Sequence, residues 1–134
     1  MITPVKLFPG LFFVASGTIL LVIAVVIALN ERDFLLHAAR AEGVVVTLNA
    51  GRAHPQVEFV DSHGVTHSFP AGGAISHGVH DRVRVAYRRE DPSLSPELDE
   101  PGSTWFGARG AALIGLAHLV GGVCSMTKLG KYLS

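Results

Sequence analysis

The sequence is poor in cysteine and in charge. Its single cysteine, Cys124, excludes a disulfide within the chain and a zinc site built from several thiolates. Charged side chains make up 16% of the 134 residues, whereas soluble domains average about 25%. The 11 basic residues balance 11 acidic ones, so the basic excess of a nucleic-acid-binding protein is missing and we expect no nucleic-acid partner. Hydrophobic residues account for 49% of the chain, which excludes a disordered protein.

Motifs of common catalytic and cofactor sites are also missing. No serine stands in a G-x-S-x-G nucleophile elbow, and neither a phosphate-binding loop nor a G-x-G-x-x-G dinucleotide motif is present. The carboxylates Glu97, Asp99 and Glu100 lie in a proline-rich stretch that is typical of a solvated linker. We therefore expect a protein without enzymatic activity and without a cofactor.

Two long stretches carry no charge. Residues 7–29 and 110–127 form runs of 23 and 18 uncharged residues. As a helix, 18 residues extend about 27 Å, close to the roughly 30 Å hydrocarbon core of a bilayer. We predict a hairpin of two transmembrane helices over residues 7–29 and 107–127, surrounded by lipid. The alternatives are a cleaved signal peptide for the first run and a buried helix of a soluble core for the second.

The remaining charges are divided unevenly along the chain. Between Glu31 and Arg109 lie 19 of the 22 charged side chains, which sum to −3. The other three, Lys6, Lys128 and Lys131, are all positive and lie in the tails. Positive tails favour the cytoplasmic side of a membrane. We expect both termini in the cytoplasm and the middle segment outside.

The middle segment, residues 31–104, predicts a small antiparallel β domain outside the membrane. Residues 31–42 have helical spacing and are predicted to extend the first span until Gly43 ends the helix. About four strands with one apolar face can bury a barrel- or sandwich-like core. The strand patterns lie at residues 44–48, 55–60, 65–69 and 82–88.

Six of the seven histidines lie in this middle segment. His63 and His67, and likewise His77 and His80, have spacings that a zinc or copper ion could use together with a nearby aspartate. Solvated loop histidines are the simpler interpretation, and we predict no metal site. Imidazole titrates at about pH 6.5, which leaves pH sensing as an alternative.

Four arginines form a basic face on and beside the last predicted strand. These are Arg82, Arg84, Arg88 and Arg89. They are able to bind lipid head groups or an acidic partner. The simpler interpretation is the solvated face of an amphipathic strand, whose charges discourage edge pairing.

Each predicted membrane helix carries a stripe of small residues, which lets helix backbones approach closely. The stripe predicts packing of the two helices against each other, or a groove for a second copy or a membrane partner. It also contains a histidine, for which we expect a neutral ring that hydrogen-bonds across the helix interface. The members are Gly17, Ala24 and Ala28 in the first helix and Gly107, Ala111, Gly115, His118, Gly122 and Ser125 in the second.

Several short motifs follow one another along the chain in a recognisable order. They are Gly43-Val44-Val45, Pro55-x-Val57-x-Phe59, Asp61-x-x-Gly64, Phe69, Asp81-x-Val83-x-Val85-x-Tyr87, Asp91-Pro92 and Trp105-Phe106-Gly107. This order resembles the bacterial membrane-protein family called domain of unknown function 3592. The resemblance covers nearly the whole chain and implies two helices of a bacterial inner (cytoplasmic) membrane bracketing a small β domain. The family usually has Gly-Asp before the last strand, where this chain has His80-Asp81.

These features predict a non-catalytic interaction module or accessory subunit of the bacterial envelope. Its partner is expected to be another membrane or envelope protein, or a second copy of the chain. Two alternatives stay open. One is an immunity-type protein against a membrane or periplasmic toxin, and the other is a metal- or proton-linked sensing or transport component.

Overall fold

A computed structural model describes residues 4–131 in the order helix, sheet, helix. Helix α1 spans Pro4–His37, the short helix α2 spans Pro101–Thr104, and helix α3 spans Phe106–Lys131. Five strands lie between the long helices: β1 Ala39–Leu48, β2 Pro55–Val60, β3 Thr66–Pro70, β4 Arg82–Tyr87 and β5 Glu97–Leu98. The predicted arrangement of two long apolar helices around an antiparallel sheet is therefore confirmed.

The chain divides into two compact units, a helical unit and a β unit. The helical unit consists of α1 before Leu29 together with α3 from Gly107 onward. The β unit consists of Leu29–Phe106 and includes the C-terminal end of α1. By length and composition, two helical stretches are able to cross a membrane, namely Phe8–His37 and Phe106–Lys128.

The five strands form one curled antiparallel sheet in the order β3-β2-β1-β4-β5. The central strand β1 pairs with β2 on one side and with β4 on the other. Side chains alternate between a buried face and a more exposed face along β2, and along β4 as far as Val85, as their period-two patterns predict. The alternation ends at Ala86, which the pattern places on the outward face but which is buried. The most deeply buried of the inward side chains are Val45, Val57, Phe59, Val85 and Leu98.

The helix predicted over residues 31–42 is wrong from Ala39 onward. There the backbone pairs with β4, from Ala39 opposite Tyr87 to Val44 opposite Arg82. Gly43 lies inside β1 and does not end a helix. A Cβ atom on Gly43 would lie 2.8 Å from a methyl group of Val85, so only glycine lets the side chains of the neighbouring strands close over this point.

The proline-rich stretch before α2 is not the solvated linker that the sequence predicts. It contains the fifth strand, β5, which pairs with β4 and buries Leu98 to 1% exposure. The strand is two residues long and is directly preceded by Pro96, which has no N–H to donate to a sheet. The domain is consequently a single sheet of five strands.

Candidate interaction surface

Within the helical unit, α1 and α3 pack antiparallel with their backbones in contact. A Cβ atom on Gly17 would lie 2.7 Å from the carbonyl oxygen of Gly115, and one on Gly122 would lie 2.8 Å from the amide nitrogen of Val14. No side chain larger than hydrogen fits at these positions. The buried small residues recur every seven positions, as Gly10, Gly17 and Ala24 on α1 and as Ala108, Gly115 and Gly122 on α3.

We call this line of buried small residues between α1 and α3 the seam. The predicted stripe shares some of its residues with the seam but not all. Its buried members are Gly17, Ala24, Gly115 and Gly122. Its half-buried members are Ala28, Ala111 and His118, and its exposed members are Gly107 and Ser125. Sequence reasoning missed Gly10 and Ala108, which the seven-residue spacing would have found, because seven residues return to nearly the same helix face.

His118 makes its hydrogen bond within its own helix and not across the seam. Its Nδ1 donates to the carbonyl oxygen of Ile114 at 2.8 Å. Its ring lies 5.5 Å from the ring of Phe13 on α1. The hydroxyl groups of Ser16 and Thr18 on α1 likewise donate to carbonyl oxygens of their own helix, at 3.1 and 2.8 Å. A local carbonyl is thus the nearest partner for each polar group.

The first histidine pair is split by the turn between β2 and β3. His67 Nε2 lies 2.8 Å from Asp61 Oδ2, and its ring stacks on Phe59. The other oxygen of Asp61 accepts the backbone N–H groups of His63 and Val65. The hydrogen bond from His67, followed by those from the backbone, lowers the pKa of Asp61 to about 2. Asp61 therefore fixes this turn as a buried anion.

The second histidine pair does not converge either. His77 Nε2 lies 2.6 Å from Glu100 Oε1. His80 is exposed, with a backbone φ of 73°. Among residues 4–131, no three histidine, cysteine, aspartate or glutamate side chains are grouped so that they could hold a metal ion.

A pair of carboxyl groups that sequence reasoning missed joins α1 to β5. Glu97 is hydrogen-bonded to Glu31. Burial, followed by the charge of Glu31, raises the pKa of Glu97 to about 7, although nearby Arg88 opposes the shift. Oε1 of Glu31 is buried and has no hydrogen-bond partner among the described residues. The raised pKa of Glu97 favours its protonated form, in which a carboxyl group is able to donate a hydrogen bond to Glu31.

The four arginines of the predicted basic face lie in different surroundings. Arg82 and Arg84 lie on the open face of β4. Arg88 places its guanidinium 4.9 Å above the ring of Phe34 on α1, a cation–π contact. Arg89 is exposed beyond the end of β4. Only the first two arginines therefore share one surface.

Arg40 of β1 joins these two, and we call Arg40, Arg82 and Arg84 the arginine face. Arg40 Nε lies 3.0 Å from Asp99 Oδ2, and Arg82 Nη1 lies 3.3 Å from Glu42 Oε1. Arg84 makes no ion pair with any residue in the range 4–131. A depression of about 470 Å³ opens beside all three arginines. The face thus combines two paired cations with one cation that is unpaired within residues 4–131.

Sequence comparison relates the chain to a bacterial immune protein. No protein-family model matches it. The immune protein Tsi4 of Pseudomonas aeruginosa is 40% identical to the chain over 89 residues, which cover 66% of the chain and 60% of Tsi4. The chain thus spans less than two thirds of the length of this curated relative. More than half of the chain is similar in sequence to an immune protein.

Proposed function

We propose that the chain is a membrane-anchored immunity-type protein that binds a toxin and neutralises it without catalysis. The 40% identity to the immune protein Tsi4 carries this proposal. It favours immunity over the broader role of an accessory subunit of the envelope. Binding is sufficient for this function, because a toxin held in a stoichiometric complex cannot reach its target.

The surface of the helical unit supports anchoring in the bacterial inner membrane. Phe8, Ile19 and Leu113 are exposed to 70%, 60% and 69% on the two long helices. In water, each Å² of such apolar surface costs roughly 25 cal/mol, a cost that a lipid environment removes. The positive tails favour a cytoplasmic position for the termini, so the proposal has the β unit outside the cytoplasm. There the β unit would meet a toxin that arrives from a neighbouring cell.

The β unit supports the binding role because it holds its surface side chains on a rigid frame. The backbone of β1 is hydrogen-bonded to a strand on each side. A pre-formed surface loses little conformational entropy when it binds a partner. The open face of the sheet is therefore suited to recognition of another protein.

Cell competition tests the proposal even while the toxin is unidentified. A strain of the source bacterium that lacks the gene is mixed with its parent on a solid surface, where the cells touch, and survivors of both are counted. We expect the deletion strain to be depleted relative to the parent. The full chain supplied from a plasmid should restore its survival, whereas the empty plasmid should not. Equal survival of the deletion strain and the parent would overturn the immunity proposal.

A further inference from the structure

We infer that the arginine face is the toxin-binding surface and that it receives an acidic segment of the toxin at Arg84. This inference rests on the proposed immunity function and specifies the chemistry of the partner. The alternative ligand with the same charge is the phosphate of a lipid head group. The acidic and apolar side chains around the arginines favour an acidic protein segment over a lipid phosphate.

The charge pairing on the sheet leaves Arg84 available. In the β1–β4 register Arg84 stands opposite Glu42, yet the carboxylate of Glu42 lies beside Arg82 at 3.3 Å. Arg40 is held by Asp99 at 3.0 Å. A guanidinium offers parallel N–H groups that fit a carboxylate in a bidentate pair. Arg84, which has no ion-pair partner in the described part of the chain, is thus the arginine of this face that is able to donate to a carboxylate of another protein.

Two depressions in the surface also lie beside Arg84. The depression of about 470 Å³ and a second one of about 260 Å³ are both lined by Arg82, Val83 and Arg84. On the open face of β1, Val44 and Val46 are exposed to 38% and 39%. Arginines beside apolar side chains are typical of the centre of a protein–protein interface.

Acidic groups around the arginines favour a protein partner over a lipid. Glu42 lines the larger depression, and Asp99 and Glu100 line the smaller one. These carboxylates repel a uniformly anionic bilayer surface. A protein surface is able to place its own basic or neutral groups against them while presenting a carboxylate to Arg84.

Variants of Arg84 in the competition assay test this inference. The deletion strain carries the full chain as wild type, Arg84→Gln, Arg84→Glu or the matched control Arg89→Glu, which changes an exposed arginine outside the face. We expect both Arg84 variants to lose protection and the Arg89 variant to protect like wild type. Membrane abundance and melting temperature are compared for all variants. The glutamine variant is decisive because it avoids placing two glutamates opposite each other on β1 and β4.

The outcomes separate the two proposals. If wild type protects and Arg84→Gln protects equally well, the arginine face is not the binding surface although immunity stands. If wild type itself fails to protect, the immunity proposal fails.

A photo-crosslinking amino acid at position 44 distinguishes protein from lipid. In the full chain, expressed in the deletion strain mixed with its parent, we expect a protein adduct that Arg84→Gln abolishes. An adduct of lipid alone, or a protein adduct that persists in Arg84→Gln, would overturn the inference.

Discussion

Among single residues, the turn before β4 holds a histidine in a backbone conformation that suits glycine. His80 has a φ of 73°, and its N–H donates to the carbonyl oxygen of Val45 at 2.8 Å. The hydrogen bond keeps the chain in this conformation although the side chain disfavours it.

We expect His80→Gly to raise the free energy of unfolding by about 1 kcal/mol, because the strain that glycine removes from the left-handed conformation outweighs the additional backbone entropy that glycine loses on folding. Denaturation of the full chain in detergent micelles measures the change. His63→Gly, at another exposed turn position without a positive φ, should not stabilise. A less stable His80→Gly protein would contradict the strain argument.

Asp61 makes stability depend on pH in the acid range. Its pKa falls from 3.8 to about 2 on folding, because His67 and two backbone N–H groups stabilise the carboxylate. The folded state therefore binds its proton less readily than the unfolded state. This contribution to stability is complete above pH 3.8 and is lost as pH falls toward 2.

We expect Asp61→Asn to lower the melting temperature at pH 7 by several degrees, because the ionic partner of His67 is lost. Its melting temperature should also fall less steeply than that of wild type when the pH drops below about 4. Melting curves of the full chain across this range measure both effects. Identical pH profiles for variant and wild type would show that Asp61 does not carry the dependence.

Among the secondary-structure elements, the α1–α3 seam depends on backbone contact. Gly17 faces the carbonyl oxygen of Gly115, whereas a Cβ atom added to Gly121 on α3 would have no heavy atom within 4 Å. The two glycines therefore provide a matched pair for one substitution. Interdigitated helices tolerate added volume poorly, since insertion forces the backbones apart.

We expect Gly17→Leu to destabilise the helix pair by about 1–3 kcal/mol, whereas Gly121→Leu should be close to neutral. Melting of each variant in micelles, read by helix circular dichroism, measures the difference. Equal melting temperatures for the two variants would contradict backbone contact at the seam.

Across the β unit as a whole, the Glu31–Glu97 pair joins the C-terminal end of α1 to the last strand, β5. Raising the pKa of Glu97 from 4.5 to about 7 means that the folded state binds a proton more readily than the unfolded state. Stability is therefore greatest below pH 4.5 as far as this group is concerned, and it declines as pH rises through 7. The sign is opposite to that of Asp61.

We expect Glu97→Gln to melt at a higher temperature than wild type at pH 8, because the amide cannot ionise and still donates to Glu31. The difference should shrink toward pH 5, where Glu97 is already protonated. Glu90→Gln, at an exposed position, is the control and should leave the profile unchanged. A Glu97→Gln profile parallel to that of wild type would show that this pair does not set the pH dependence.

Much of the β unit is predictable from local patterns. The alternation in Val57 and Phe59, and in Val83 and Val85, assigns β2 and β4 and their buried faces. The start of β1 is not predictable in this way, because Ala39 to Glu42 has the composition of a helix and only pairing with β4 makes it a strand. Two residues of the arginine face, Arg82 and Arg84, are predictable because they alternate on one strand. The third, Arg40, is not, because it lies on another strand.

Local sequence patterns specify the two apolar helices, the alternating strands and the glycine turns. Each of these depends on residues a few positions apart, which interact whatever the rest of the chain does. Which charges meet is decided by folding, because Glu31 and Glu97, or Arg40 and Asp99, become neighbours when the sheet orders its strands. The two uncharged runs of this chain therefore predict membrane helices from sequence alone. The arginine that is available for binding is identified only by the folded sheet, which leaves Arg84 unpaired among the described residues.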